Sequence, residues 1–170
     1  MQKVSLYSSR KIFAAAVVLC IAWSLFIFSM SNEPATVSAD RSGGIADIVA
    51  PIFVKDFEKL DTAERETVLS NVDHIIRKIA HFCIYAFLGA LFGAVSLWHK
   101  RTWLMHAVLP LLFGALYAAS DEIHQSFVPG RGPLVTDVIL DSCGVLCGIL
   151  FVLALARLIL SKRRKDETGT

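Results

Sequence analysis

Four long apolar runs dominate the chain, and charged residues collect in the segments between them. A helix that rises about 1.5 Å per residue needs about 20 apolar residues to cross a hydrocarbon core of about 30 Å. The pattern therefore predicts an all-α fold, a polytopic membrane bundle with four transmembrane helices. The apolar runs occupy residues 12–30, 79–98, 103–120 and 134–160.

The first run has two interpretations, because basic residues precede it and small residues follow it. Lys3 and Arg10 lie before the run, as in a secretory signal peptide, and Ser29 and Ser31 lie near its end. The apolar core of a signal peptide has about 7–15 residues, and this run is longer. The sequence favours a retained helix over a cleaved signal.

The distribution of Lys and Arg predicts the orientation of the bundle. Basic segments precede the first run, separate the second from the third, and follow the fourth. Cytoplasmic loops of membrane proteins carry an excess of Lys and Arg, so both termini are expected in the cytoplasm and residues 31–75 outside. Hydrophobic residues make up 55% of the chain, and its net charge of +2 reflects this topology. No nucleic-acid partner is needed to explain the charge.

Residues 31–75 are interpreted as an extracytoplasmic segment of a single membrane domain, residues 1–170, inserted between the first two spans. Their apolar positions recur at helical spacing, which predicts a short amphipathic helix at the membrane interface, bent by Pro51. Asp61 then predicts a capped helix that continues into the second span. The segment is either a lid over the bundle or a solvated connector. The apolar positions are Ile45, Ile48, Val49, Ile52 and Phe53.

The second run begins with a stripe that is polar at its outer end and small further in. Arg77, His81 and Tyr85 follow one another at a spacing of four residues, and Gly89 and Gly93 continue the stripe. The glycines predict a close contact with another helix. His81 is either a reactive imidazole or a satisfied core histidine, and Arg77 is either a ligand-binding cation or an interfacial anchor.

Acidic side chains lie at the end of the third run and at the start of the fourth. A charge at membrane depth costs about 2.5–3.5 kcal/mol on insertion scales, so such residues tend to persist where they pair or function. Lys78 and Arg131 are available as cationic partners, besides Arg77 and His81. We predict one outward-facing site, in which Arg131 is hydrogen-bonded to at least one carboxylate. The acidic and amide residues of this site are Asp121, Glu122, Gln125, Asp137 and Asp141.

In their order and spacing these residues resemble the VanZ-like family of small bacterial membrane proteins. The resemblance spans nearly the whole chain and includes the serine-rich exit from the first run, Ser29 to Ser31. Asp141 departs from the pattern, because the family more often has Asn there. The ordered motif is Arg77-Lys78-x-x-His81-Phe82, then Asp121-Glu122-x-x-Gln125, Phe127, Arg131, Asp137, Asp141 and Gly144.

The resemblance implies a protein of the bacterial inner membrane whose partner is a membrane lipid or a lipid-linked phosphate. The family's namesake is associated with low-level resistance to teicoplanin, which implies a role in the cell envelope or in the response to glycopeptide antibiotics. The family has also been proposed to belong with membrane enzymes that act on lipid head groups. The catalytic candidates are His81, Asp121, Glu122 and Asp137. The substrate-binding candidates are Arg77, Tyr85, His124, Gln125, Arg131 and Asp141.

The chemistry of these residues agrees with phosphate binding and leaves several functions open. The planar guanidinium of Arg131 suits phosphate oxygens, and His81 is suited to act as a general base or a nucleophile. The carboxylates would alternatively hold Mg²⁺ or Ca²⁺. An enzyme, a non-catalytic binding protein and a transporter are all compatible with one polar cluster. A transporter would need polar residues that continue to the cytoplasmic side, whereas the faces below His81 and Asp141 are apolar or glycine.

Overall fold

The computed structural model describes residues 10–99 and 101–168, and this part of the chain contains helices and no strand. A short 3-10 turn at Phe57–Lys59 lies between the second and third α-helices. The predicted all-α class is confirmed. The five α-helices are α1 (Arg10–Ser31), α2 (Ala35–Phe53), α3 (Thr62–Ser96), α4 (Trp103–Gln125) and α5 (Val135–Thr168).

Four of the helices, α1, α3, α4 and α5, are long and apolar enough to cross a membrane, as predicted. α3 has 35 residues, which at about 1.5 Å per residue gives a length of about 52 Å. It begins at the predicted cap: the Asp61 carboxylate accepts the Glu64 N–H at 2.8 Å, and the Glu64 side chain accepts the Asp61 N–H at 3.2 Å. The orientation of the termini stays a prediction.

The helix between the first two spans is longer than the short helix that the sequence predicted. α2 begins directly after Pro34 and ends two residues beyond Pro51, so a bend at Pro51 has little helix left to redirect. Its small residues Ser42, Ala46 and Ala50 are buried at a spacing of four, and α2 packs against α3. Its larger apolar side chains are exposed, namely Ile45, Ile48, Ile52 and Phe53.

A seam lined with glycine joins α3 to α5. A Cβ on Gly89 would overlap the backbone of Val145, and a Cβ on Gly148 would overlap the carbonyl oxygen of Ala86. Only residues without a side chain permit this approach of the two backbones. The close contact expected for the glycine stripe is therefore present. The core around it includes Tyr85, Leu88, Val145, Ile149 and Leu153.

The bundle has two chemically different ends. At the first, which we call the polar end, the C-terminal ends of α1 and α4 meet the start of α5. At the opposite end, the Arg157 guanidinium lies 5.9 Å from the ring centroid of Trp103, and the rings of Phe13 and Trp98 are 5.6 Å apart. Arg101, in the connection between α3 and α4, also lies at this opposite end.

Candidate functional site

Asp121 is the acceptor of a buried hydrogen-bond network at the polar end. Its Oδ2 accepts hydrogen bonds from Ser31 Oγ at 2.8 Å, Tyr85 Oη at 2.9 Å and Gln125 Nε2 at 3.2 Å. Because Ser31 belongs to α1 and Tyr85 to α3, the carboxylate joins three spans. Asp121 is 3% exposed, and its Oδ1 has no partner among the described residues. The network fixes the relative positions of the helix ends.

A cavity of about 180 Å³ adjoins this network, and Gln125 belongs to both. Its walls come from the start of α2, the middle of α3 and the loop between α4 and α5. Among the described residues that line it, five carry basic side chains and one, Asp137, carries a carboxylate. We call it the basic cavity. The basic residues are His74, Arg77, Lys78, His81 and Arg131.

The turn that carries Arg131 has a fixed geometry. Gly130 has a φ of +76°, a conformation that glycine adopts at little cost, and the Arg131 N–H donates to the Val128 carbonyl at 3.1 Å. The Ala35 N–H donates to the Pro129 carbonyl at 3.2 Å, which ties α2 to the same turn. The turn therefore holds Arg131 in the wall of the cavity.

The prediction that Arg131 is hydrogen-bonded to a carboxylate is wrong. No carboxylate oxygen of the described residues lies within 4.0 Å of its guanidinium. The nearby acids have other partners: Lys78 pairs with Asp137, and Glu122 Oε1 accepts the Leu134 N–H at 2.8 Å. Burial lowers the pKa of the Arg131 guanidinium, although an arginine stays protonated at physiological pH. The cavity thus contains a guanidinium whose donors are uncommitted.

The other two permanent cations of the cavity have acidic partners. Arg77 Nη2 lies 2.9 Å from Asp73 Oδ2, one helical turn earlier on α3. Lys78 bridges from α3 to Asp137 on α5, where Thr136 Oγ1 also donates to the Asp137 carboxylate at 3.3 Å. The Lys78 pair therefore holds the start of α5 against α3 and fixes one wall of the cavity.

His81 faces the cavity with a buried carboxylate next to it. Its Nδ1 lies 3.8 Å from Asp141 Oδ2, and Asp141 is 2% exposed while the His81 side chain is 29% exposed. A carboxylate beside one ring nitrogen favours the tautomer with the proton on that nitrogen. This leaves Nε2 as a proton acceptor. Asp141 Oδ1 is buried without a partner among the described residues.

The structure separates the site residues named from the sequence into three places. Five of the ten line the basic cavity, and a sixth, Asp141, lies behind it next to His81. The five are Arg77, His81, Gln125, Arg131 and Asp137. Asp121, Glu122 and Tyr85 lie buried beside it and are absent from its lining. His124 lies elsewhere: its ring centroid is 4.4 Å from that of Phe28, and its Nε2 is 3.3 Å from Asn32 Oδ1.

The residue that sequence reasoning missed in the cavity is His74. It precedes Lys78 by four residues and His81 by seven, so it falls on the same face of α3. That spacing could have identified His74 as a cavity residue from the sequence. Ser38 of α2 also lines the cavity, and Ser31, noted in the sequence only as part of a serine-rich exit, donates to Asp121.

The acidic residues do not form a cation site among the described parts of the chain, which contain no group of three or more His, Cys, Asp or Glu side chains arranged to hold a metal ion. Asp121 and Glu122 are committed to hydrogen bonds from neutral donors, and Asp137 pairs with Lys78. This donor set does not match the Mg²⁺ or Ca²⁺ site that the sequence left open.

Comparison with known proteins gives one match. The family model described as VanZ/LLP1 matches residues 16–158, which is most of the chain and includes every residue of the basic cavity. No curated protein matches the chain. No solved structure matches it either.

Proposed function

This chain belongs to the VanZ/LLP1 family, and we propose that its basic cavity binds the phosphate of a lipid head group or of a lipid-linked precursor in the bacterial inner membrane. The observation that carries the proposal is the uncommitted guanidinium of Arg131 in a cavity with five basic side chains and one carboxylate. Guanidinium and phosphate form paired, charge-assisted hydrogen bonds. A phosphate would supply the negative charge that this wall lacks.

The depth of the cavity supports a lipid as the source of the phosphate. α3 ends at Ser96, and a hydrocarbon core of about 30 Å corresponds to about 20 helical residues counted back from that end. This count reaches Arg77, which lines the cavity. The basic cavity therefore lies near the level of the phosphates in the leaflet at the polar end. A lipid would reach it without leaving the membrane.

The pairing of His81 with Asp141 favours turnover of the bound lipid as a second candidate function. The Nε2 of His81 would accept the proton of a water whose oxygen bonds to the phosphorus, while the bond from phosphorus to the head-group or glycerol oxygen breaks. The imidazolium, stabilised by Asp141, would then give that proton to the departing alcohol. Arg131 would hold the phosphate oxygens during the attack. If His81 takes no proton, the same cavity serves a binding protein that alters the response of the envelope to glycopeptides.

Binding is tested with the full chain in nanodiscs of phosphatidylcholine, to which short-chain phosphatidic acid is added. We expect saturable binding that falls roughly tenfold in Arg131→Gln, the loss typical of one charge-assisted hydrogen bond. Arg41→Gln is the matched control, since Arg41 pairs with Glu33 and does not line the cavity. Equal binding by wild type and Arg131→Gln would contradict the proposal.

Turnover is tested by analysing the lipids of cells that contain the wild-type protein, His81→Ala or no protein. We expect a head-group change that requires His81 and survives in His124→Ala, because His124 packs against Phe28 away from the cavity. The amount of membrane-inserted protein is measured beside each lipid profile. If His81→Ala is present at normal abundance and gives the same lipid profile as the wild type, the enzyme hypothesis is wrong and the binding protein remains.

A further inference from the structure

A second groove lies between α3 and α4, nearer to the opposite end of the bundle than the basic cavity. Its volume is about 360 Å³, within the range of about 300–1,000 Å³ found for ligand sites. Apart from Arg101, its lining is apolar or aromatic. The lining residues are Phe92, Val95, Leu109, Pro110, Phe113 and Tyr117.

Arg101 supplies the charged group of this groove. The hydroxyl of Tyr117 donates to the Ser24 carbonyl at 2.6 Å, so Tyr117 presents its ring to the groove. Arg101 forms no hydrogen bond or ion pair with a carboxylate of the described residues. A ligand that fits this distribution has an apolar chain and an anionic group at one end.

The depth of Arg101 matches the phosphate of a phospholipid. Trp98 and Trp103 flank it in the sequence, and tryptophan is enriched at the head-group level of membranes. From Leu109 to Tyr117 the groove wall follows α4 for about 12 Å, at a rise of about 1.5 Å per residue. An acyl chain that extends from a phosphate at Arg101 would follow this wall.

We propose that the α3–α4 groove binds an anionic phospholipid, with one acyl chain along Phe113 and Tyr117 and the phosphate at Arg101. Basic pockets between transmembrane helices bind anionic head groups in this manner. The lipid comes from the leaflet opposite the one that serves the basic cavity, so the two sites are independent of each other.

The test uses the full chain in phosphatidylcholine nanodiscs that contain phosphatidylglycerol with a diazirine in one acyl chain. After illumination, cross-linked peptides are mapped by mass spectrometry. We expect cross-links on the groove residues of α3 and α4, reduced about tenfold in Arg101→Gln and retained in Arg101→Lys and Arg163→Gln. Arg131→Gln should leave these cross-links unchanged, which separates them from the basic cavity.

Filling the groove with a larger side chain gives a second, independent test. Leu109→Trp should fill the groove and abolish its cross-links, whereas Leu112→Trp, on the lipid-exposed face of α4 and outside the groove, should not. Cross-links that persist in both Arg101→Gln and Leu109→Trp, or equal labelling by diazirine phosphatidylcholine, would overturn the proposal and indicate ordinary annular lipid. If Leu109→Trp does not fold, the comparison of Arg101→Gln with Arg101→Lys decides.

Discussion

Replacement of Tyr85 by Phe tests how much the hydrogen bond to the buried Asp121 carboxylate contributes to stability. Tyr85 is fully buried, and its hydroxyl donates to Asp121 Oδ2 at 2.9 Å. The change removes that donor and leaves the aromatic ring in place. Tyr117→Phe is the matched control, because Tyr117 donates at 2.6 Å to a neutral acceptor, the Ser24 carbonyl.

The expected losses of stability differ because Tyr85 donates to a carboxylate and Tyr117 donates to a neutral carbonyl. A hydrogen bond to a charged group contributes about 1.5–3 kcal/mol, whereas hydrogen bonds between neutral groups in membrane bundles average about 0.6 kcal/mol. Tyr85→Phe should therefore lower the free energy of unfolding by about 1 kcal/mol more than Tyr117→Phe does. Asp121 would still retain the donors of Ser31 and Gln125, so the protein should remain folded.

The assay is unfolding of the purified chain in mixed micelles with an increasing fraction of SDS, followed by the fluorescence of its three tryptophans. Both variants keep all three, so the signal is comparable. Equal losses in Tyr85→Phe and Tyr117→Phe would refute the reasoning. That result would mean that the hydrogen bond to the Asp121 carboxylate contributes no more to stability than a hydrogen bond to a neutral carbonyl.

Two further predictions concern packing and topology. Gly148→Ala should lower the yield of folded protein, because the new Cβ would force α5 away from α3. Gly44→Ala is the control: no atom lies within 4 Å of its new Cβ, so it should be neutral or stabilise the protein by up to about 1 kcal/mol. Equal yields of the two purified variants would contradict the packing argument. Ser38→Cys and Gly132→Cys should react with a membrane-impermeant maleimide in intact cells, and Arg101→Cys should not; the reverse pattern would place the basic cavity on the cytoplasmic side.

The fold was predictable because its signals are local or periodic. Apolar length identified the four spans, Asp61 marked the start of α3, and the spacing of Gly89 and Gly93 indicated a close helix contact. The length of α2 was not predictable, because the residues after Ser31 are small and polar and carry no strong helix signal. Burial of Ser42, Ala46 and Ala50 against α3 stabilises that helix instead.

The sequence predicted that the site residues meet at one end of the bundle, but it did not predict which of them pair. The sequence places Arg131, Asp121 and Asp137 at one level of the membrane, but the rotation of each helix decides which groups touch. Asp121 accepts hydrogen bonds from neutral donors, and Asp137 pairs with Lys78, which the sequence analysis had named as a possible cationic partner. The guanidinium expected to neutralise an acid was thereby left without a carboxylate partner among the described residues.

If the basic cavity binds a lipid phosphate as proposed, the uninterrupted length of α3 makes that binding sensitive to the thickness of the bilayer. One rigid helix connects the opposite end at Ser96 with the cavity at Arg77, so the distance between Arg77 and the far membrane surface is constant. A bilayer thicker by several ångströms would carry its phosphates beyond the guanidinium of Arg131, and a tilt of the bundle would restore the match only in part. Lipid chain length therefore becomes a variable of recognition, alongside head-group charge.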